Sequence, residues 1–258
     1  MIPLRDNIPS RRTPVVVIAL IVINVATFLY ETRLTHDQLE LFFYRYGFLP
    51  ARVAQLAHPE PILIPSREAP AATFRLEPSL PRMLRSVLTM MFLHGGWMHL
   101  IGNMWYLWIF GDNIEDRLGH LGFLLLYLIG GCAATVAQCA AVLLVTPEQM
   151  IIPTLGASGA VAAVLGAYLV TYPFARILTL VFIVFFITWI ELPALVVLGI
   201  WFLTQFLNGT ASLGASFAAG GVAWWAHVGG FVAGIVLVHL FAPKGPGKSG
   251  LNRDAARL

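Results

Sequence analysis

Six long apolar runs decide what this chain can fold into. They are residues 14–30, 96–111, 118–145, 155–172, the stretch from Ile177 to Leu207, and 222–241. A bilayer core about 30 Å thick is crossed by roughly 20 mainly apolar residues in a helix, because in lipid each segment must satisfy its own backbone polar groups. Composition agrees: of 258 residues, 58% are hydrophobic and 11% charged, against about 25% charged in a soluble domain. The net charge of +3 is not gathered into a basic stripe, so nucleic acid is not an expected partner. Cys132 and Cys139 sit seven residues apart in one run, about 10 Å along a helix. That is too far for a disulfide, and both read as reduced packing residues.

The first run follows Arg11 and Arg12 and leads straight into Glu31-Thr32-Arg33 with no small-x-small cleavage site, which reads as an uncleaved anchor. The run from Ile177 to Leu207 is too long for one span and too short for two. Glu191-Leu192-Pro193 interrupts it. A carboxylate is costly at mid-membrane and proline cannot donate a backbone hydrogen bond, so this triplet is expected near a surface, starting a fifth span over 193–207. The preceding segment to Trp189 is rich in β-branched and aromatic residues and reads as an interfacial hairpin, with a membrane helix as the alternative. The expected fold is therefore an all-α membrane protein with six transmembrane helices. Its parts would be an N-terminal tail (1–13), a membrane domain (14–242) and a basic C-terminal tail (243–258).

Six spans put both ends on one side. The ends carry Arg5, Arg11, Arg12, Lys244, Lys248, Arg253 and Arg257, and the turns on that side carry Arg117 and Arg176, whereas connections 146–154 and 208–221 carry no Lys or Arg. The positive-inside rule then places both termini in the cytoplasm. The outer segment 31–95 holds seven arginines, but long loops weigh little in that rule. Its aromatic stretch from Leu39 to Pro50 suggests short amphipathic elements in the interface, and Pro59, Pro61, Pro65 and Pro70 suggest an extended connection.

Polar groups inside spans carry the information in so apolar a chain. Four stand out: His99, Asn103, Ser158 and His227. Ser158 stands between glycines in Leu155-Gly-Ala-Ser-Gly159 at the start of the fourth span, where unpaired backbone N–H groups point at developing negative charge. Serine beside glycine in a membrane helix also serves close packing, and that alternative stays open. His227 by itself suits a hydrogen-bonded core residue or a proton relay. Gly159 with Ala163, and Gly230 with Gly234, make small-xxx-small stripes that let the fourth and sixth spans meet at backbone contact, bringing hydroxyl and imidazole together. Neither span contains Asp or Glu, so the pair would be a dyad, not a triad. His99 and Asn103, four apart, share one helix face and suit oxyanion donation. Collecting His94, His99 and His227 as zinc ligands lacks the His-Glu-x-x-His spacing, so no metal is expected.

Together, four motifs resemble those of the rhomboid family of intramembrane serine proteases. They are Phe92-Leu-His-Gly-Gly-Trp-Met-His-Leu-Ile-Gly-Asn-Met104, Phe110-Gly-Asp-Asn-Ile-Glu-Asp-Arg-Leu-Gly119, Gly156-Ala-Ser-Gly159 and Ala226-His-Val-Gly-Gly230. The resemblance implies a six-helix rhomboid bundle with a long outer loop between helices 1 and 2. It implies Ser158 as nucleophile and His227 as general base and then acid, with His99, Asn103 and the Ser158 N–H holding the oxyanion. Gly156, Gly159, Gly230 and Gly234 would support the site. No cofactor is implied. The implied partners are the lipid bilayer and single-span membrane proteins, entering past the fifth helix and cut near the outer surface. The Gly-rich loop 208–221 suits a mobile cap.

Two departures stand out. Met83-Leu-Arg85 lacks the tryptophan of the family's Trp-Arg pair, and Ala162 replaces an aromatic that stacks on the histidine in some members. Trp224 or Trp225 are candidates to restrain His227 instead. The competing classes are a rhomboid-like pseudoprotease that binds clients, and a channel or proton-coupled transporter with Glu191 as its single candidate carboxylate. The short tails favour a bacterial inner membrane.

Overall fold

A computed structural model describes residues 1–65, 73–183, 186–212 and 221–242. The apolar runs form helices α1 (Val15–Glu31), α5 (Trp97–Val145), α6 (Ser158–Thr171), α7 (Ala194–Ser212) and α8 (Trp224–Phe241). α5, α7 and α8 are long and apolar enough to cross a membrane, and α1 and α6 are shorter apolar helices.

α5 takes up both the second and third expected spans. The stretch expected as a turn between them is helical up to a single break at Gly119, where φ is +72° and ψ is 167°. Only glycine reaches that backbone region cheaply. A Cβ placed on Gly111 would lie 3.5 Å from the Phe123 ring, whereas a straight helix would separate those positions by about 18 Å. The two halves of α5 therefore fold back on each other at Gly119.

The break also positions Glu115, which is 2% exposed. The first turn of α1 begins after Pro14 and has no side-chain cap of its own. Glu115 supplies one from α5, accepting hydrogen bonds from the N–H groups of Val16 and Val17 at 2.9 Å each. An acid is favourable at a helix N-terminus, where free donors and the helix dipole both meet it.

The chain is mostly helical, yet the all-α expectation needs correction: two small antiparallel sheets are present. β4 (Arg176–Ile183) pairs with β5 (Phe186–Pro193), in register from Arg176 opposite Pro193 to Ile183 opposite Phe186. This settles residues 176–183 and 186–193 as paired strands, as expected for a hairpin and not for a membrane helix, in line with their β-branched and aromatic content. β1 (Ile2–Asp6) adds to the other edge of β4, so part of the expected N-terminal tail is ordered strand. Asp6 accepts from Asn113 Nδ2 at 2.8 Å and from the Tyr168 hydroxyl, tying the strand to α5 and α6. As expected for Glu191-Leu192-Pro193, α7 starts directly after the proline.

The segment between α1 and α5 folds into α2 (His36–Tyr46), α3 (Ala51–Ala54), an antiparallel pair β2 (Ile62–Pro65) and β3 (Thr73–Leu76), and α4 (Leu80–Thr89). The expected extended connection is thus partly a strand pair; Pro70 lies outside the described residues. Thr35 and Gln38 form a reciprocal capping box at the start of α2, and Ser79 caps α4, as their sequence positions favour. Phe48 and Thr154 exchange backbone hydrogen bonds of 3.0 and 2.8 Å, holding this segment against the connection that leads into α6.

α6 is the core of the bundle: Ala160, Ala162, Ala163, Val164 and Leu165 are 0–1% exposed. It packs between α5 and α8, and the expected seam of small residues is present. A Cβ on Gly230 would lie 2.1 Å from Gly159 O, and one on Gly234 would lie 1.9 Å from Ala163 O. Real Cβ atoms do not approach so closely, so these glycines let the backbones touch.

Candidate active site

α6 begins at Ser158. Two residues earlier, Gly156 takes φ +121°, and a Cβ there would meet His99 Cε1 and Nε2 at 2.6 Å. Glycine is therefore needed on two counts, backbone conformation and space. Gly156 N–H donates to Met90 O at 2.9 Å, which fixes the approach to the helix. The first N–H groups of α6 have no partner within the helix and remain available as donors beside the Ser158 hydroxyl.

Ser158 Oγ lies 2.8 Å from His227 Nε2, across the seam between α6 and α8. His227 Nδ1 lies 2.7 Å from Gln205 Oε1 on α7. The orientation of that amide is set by its other end, because Gln205 Nε2 donates to Trp201 O at 3.2 Å and to Thr204 Oγ1 at 3.3 Å. An amide oxygen accepts only, so Nδ1 carries the imidazole proton and Nε2 is left bare to accept the serine hydroxyl. This is the tautomer that a serine nucleophile needs.

Two rings flank the imidazole: Trp201 at 5.9 Å between centroids, inclined by 36°, and Trp224 at 6.2 Å, edge-on. Trp224 is one of the two tryptophans expected to restrain His227. Trp225 packs against Phe206 instead, and the main restraints, Gln205 and Trp201, come from α7. Ala162 is fully buried and leaves the histidine's face to them.

His99 Nδ1 accepts from Gly95 N–H at 3.4 Å, which leaves its Nε2 as the donor, on the edge that faces Gly156. Asn103, 8% exposed, makes no hydrogen bond to Ser158 among the described residues. Its Nδ2 meets His94 Nε2 at 3.1 Å, with a second amide hydrogen to spare. Burial, reinforced by the neighbouring His99, pushes His94 down to about 4. His94 is therefore neutral near pH 7 and able to accept from Asn103. Glu31, at the end of α1, accepts from His94 N–H at 3.3 and 3.4 Å. Thus the structure joins Ser158 to His227 directly, sets the His99 edge against Gly156 two residues before the serine, and pairs Asn103 with His94.

A cavity of about 480 Å³ opens next to this cluster, lined by His99, Gln138, Thr154, Leu155, Trp224 and Trp225 among others. Gln138 Oε1 accepts from Ala226 N–H at 3.2 Å, capping α8 one residue before His227. The part of the expected cap loop from Asn208 to Ser212 is helical, as the last turn of α7; residues 213–220 lie outside the described residues. Arg85, without a tryptophan beside it, lies 5.1 Å over the Tyr46 ring.

Sequence reasoning missed Gln205 and Gln138. The available signal was the one that singled out the histidines: an uncharged polar side chain within an apolar run. Their partners on α8 were not readable from spacing along one helix.

These features define a class, a multi-pass helical membrane protein with a serine hydroxyl hydrogen-bonded to a histidine at a helix start. A family model of the Rhomboid domain matches residues 81–244. The chain belongs to the rhomboid family, whose members are generally serine proteases acting within membranes. It is 34% identical over 141 residues to presenilin-associated rhomboid-like protein A, mitochondrial, of Danio rerio, covering 53% of this chain and 35% of that protein. It is 31% identical over 157 residues to rhomboid protein 1, mitochondrial, of Saccharomyces cerevisiae, covering 58% and 40%. It is 38% identical over 74 residues to rhomboid-like protein 11, chloroplastic, of Arabidopsis thaliana, covering 29% and 24%. The matches thus span 24–40% of these relatives' lengths. Their names are organellar, so the expectation of a bacterial inner membrane finds no support among them.

Proposed function

We propose that this chain is an intramembrane serine endopeptidase that cuts transmembrane segments of single-span membrane proteins by a Ser158–His227 dyad. The observation that carries the proposal is the 2.8 Å approach of Ser158 Oγ to a bare His227 Nε2. In the first step the hydroxyl oxygen attacks a peptide carbonyl carbon while its proton passes to Nε2. The resulting oxyanion takes hydrogen bonds from the Ser158 N–H, His99 Nε2 and the spare Asn103 hydrogen, donors already oriented before charge develops. His227 then returns the proton to the leaving amine. Water enters, and the same imidazole runs the sequence again to release the acyl group from Ser158.

We also read the membrane domain as 14–242 with six crossings, two of them supplied by the halves of α5 on either side of Gly119. The two ends of the domain lie on one side. Pairing of β1 with the β4–β5 hairpin supports this reading, since it ties the N-terminal strand to the connection between α6 and α7.

Gln205 acts as a positioning residue that stands where a triad carboxylate would stand. Gln205→Leu removes the acceptor for Nδ1–H and should lower kcat about 10- to 100-fold with KM little changed, because the wrong tautomer becomes populated. Gln205→Glu restores an acceptor and should recover most of that loss. Equal kcat for the leucine variant and the wild type would remove Gln205 from the mechanism. Asn103→Ala should lower kcat by about 10- to 10³-fold, as for loss of one of several oxyanion donors, measured on the same substrate.

The direct test uses the purified full chain in liposomes with a single-span substrate that carries helix-destabilising residues near one membrane surface. Wild-type protein should release two fragments. Cleavage that persists at the same rate in Ser158→Ala would refute the serine mechanism.

A further inference from the structure

Seven arginines in the segment between α1 and α5 sit awkwardly with any account based on the catalytic site alone. Five of them, Arg45, Arg52, Arg75, Arg82 and Arg85, line a single cavity of about 460 Å³ formed by α2, α3, α4 and β3. None of its described lining residues is acidic. Arg75 is met at the surface by Glu77 at 2.6 Å, and Arg85 lies over the Tyr46 ring.

Arg52 is different in kind. It is 4% exposed, and its Nε and Nη1 are buried with no hydrogen-bond partner among the described residues. A buried guanidinium normally has its donors satisfied and its charge paired, and leaving either undone is costly. Burial, together with the charges of Arg82 and Arg85, holds Arg52 below the ordinary guanidinium pKa. Like charges collected around one cavity, one of them a buried guanidinium with unused donors, describe a site for an anion. Planar guanidinium forks suit phosphate in particular, because two parallel N–H donors match two phosphate oxygens.

α4 indicates where such a group would come from. Its arginines 82 and 85 line the cavity, while Leu80, Leu84 and Leu88, each four apart, are 46–55% exposed along one stripe. An exposed leucine stripe beside a basic face is the pattern of a helix lying in the membrane interface, at headgroup depth.

We propose that this cavity binds a phosphate group, anchored by Arg52 and flanked by Arg82 and Arg85. The headgroup of an anionic phospholipid and a soluble phosphate ester share that chemistry. The site lies apart from Ser158 and His227 and does not depend on the protease proposal.

Native mass spectrometry of the full chain in detergent tests it, with phosphatidylglycerol, phosphatidylcholine and glycerol phosphate titrated separately. Phosphatidylglycerol should bind at least about 10-fold more tightly than phosphatidylcholine, whose choline cation the arginines repel. Arg52→Gln and the double variant Arg82→Gln/Arg85→Gln should each weaken that binding by about 10-fold or more. Glycerol phosphate binding as tightly as the lipid, and losing it in the same variants, assigns the site to a soluble phosphate; much weaker binding assigns it to the lipid. If phosphatidylglycerol and glycerol phosphate both bind no better than phosphatidylcholine, or if both variants bind like the wild type, the proposal is overturned. Thermal melting without added anion gives a second check. Arg52→Gln should melt no lower than wild type, since the charge removed has no partner among the described residues, and a large drop would mean that Arg52 holds the fold instead.

Discussion

Replacing Ser158 by alanine is expected to reduce cleavage of a single-span substrate by at least about 10⁴-fold while the protein remains folded. In the proposed mechanism the hydroxyl is the attacking group, and the oxyanion donors that survive would bind a transition state but not form the acyl intermediate. His227→Ala should fall to a comparable level. The double variant should be no worse than either single one, because nucleophile and base act as a unit and their losses do not add. Initial rates in proteoliposomes, with melting temperatures as the control for folding, check all three. A Ser158→Ala protein retaining a tenth of the wild-type rate would contradict this assignment.

Gly230→Ala should be the most damaging substitution away from the reacting atoms. Its new methyl group would stand 2.1 Å from the Gly159 carbonyl oxygen, and neither partner is a flexible side chain that could swing aside. α6 and α8 must separate, at a cost of about 1–3 kcal/mol in stability from overpacking. The same movement pulls His227 from Ser158, and misplacement by about 1 Å costs roughly 10²-fold in rate. Activity should therefore fall further than stability alone explains, even where the protein is fully folded. Gly102→Ala is the matched control: nothing lies within 4 Å of its Cβ position, so melting and rate should stay near wild type. Indistinguishable behaviour of the two variants would mean that the seam between α6 and α8 is not what aligns the pair.

How much of this was legible in the sequence depends on the range of the interaction. Apolar runs showed where the helices lie, because the bilayer demands length and composition from each segment independently. Small-residue stripes at Gly159, Ala163, Gly230 and Gly234 foretold the seam, since a glycine's meaning in a membrane helix is close approach. Ser158 and His227 were readable for the same reason, each being polar at a place where polarity is costly. The hairpin of β4 and β5 was half-legible: β-branched content suggested strands, but apolar residues in both faces left a helix open. β1 was not legible, because its partner β4 lies about 170 residues later and neither strand alone is periodic. The single break at Gly119 was blurred into a longer turn by the charged residues around it, of which Glu115 caps α1. Gln205 escaped notice because its role exists only between helices: four residues after Trp201 it looks like an isolated amide, and only the fold sets it against Nδ1 of His227.

Labelling the purified full chain with a serine-directed fluorophosphonate and mapping the modified residue asks whether Ser158 is a nucleophile activated by His227. A single adduct on Ser158 is expected, absent in Ser158→Ala and strongly slowed in His227→Ala. A wild-type protein that is folded in detergent but takes no label, or one labelled equally well without His227, would contradict it.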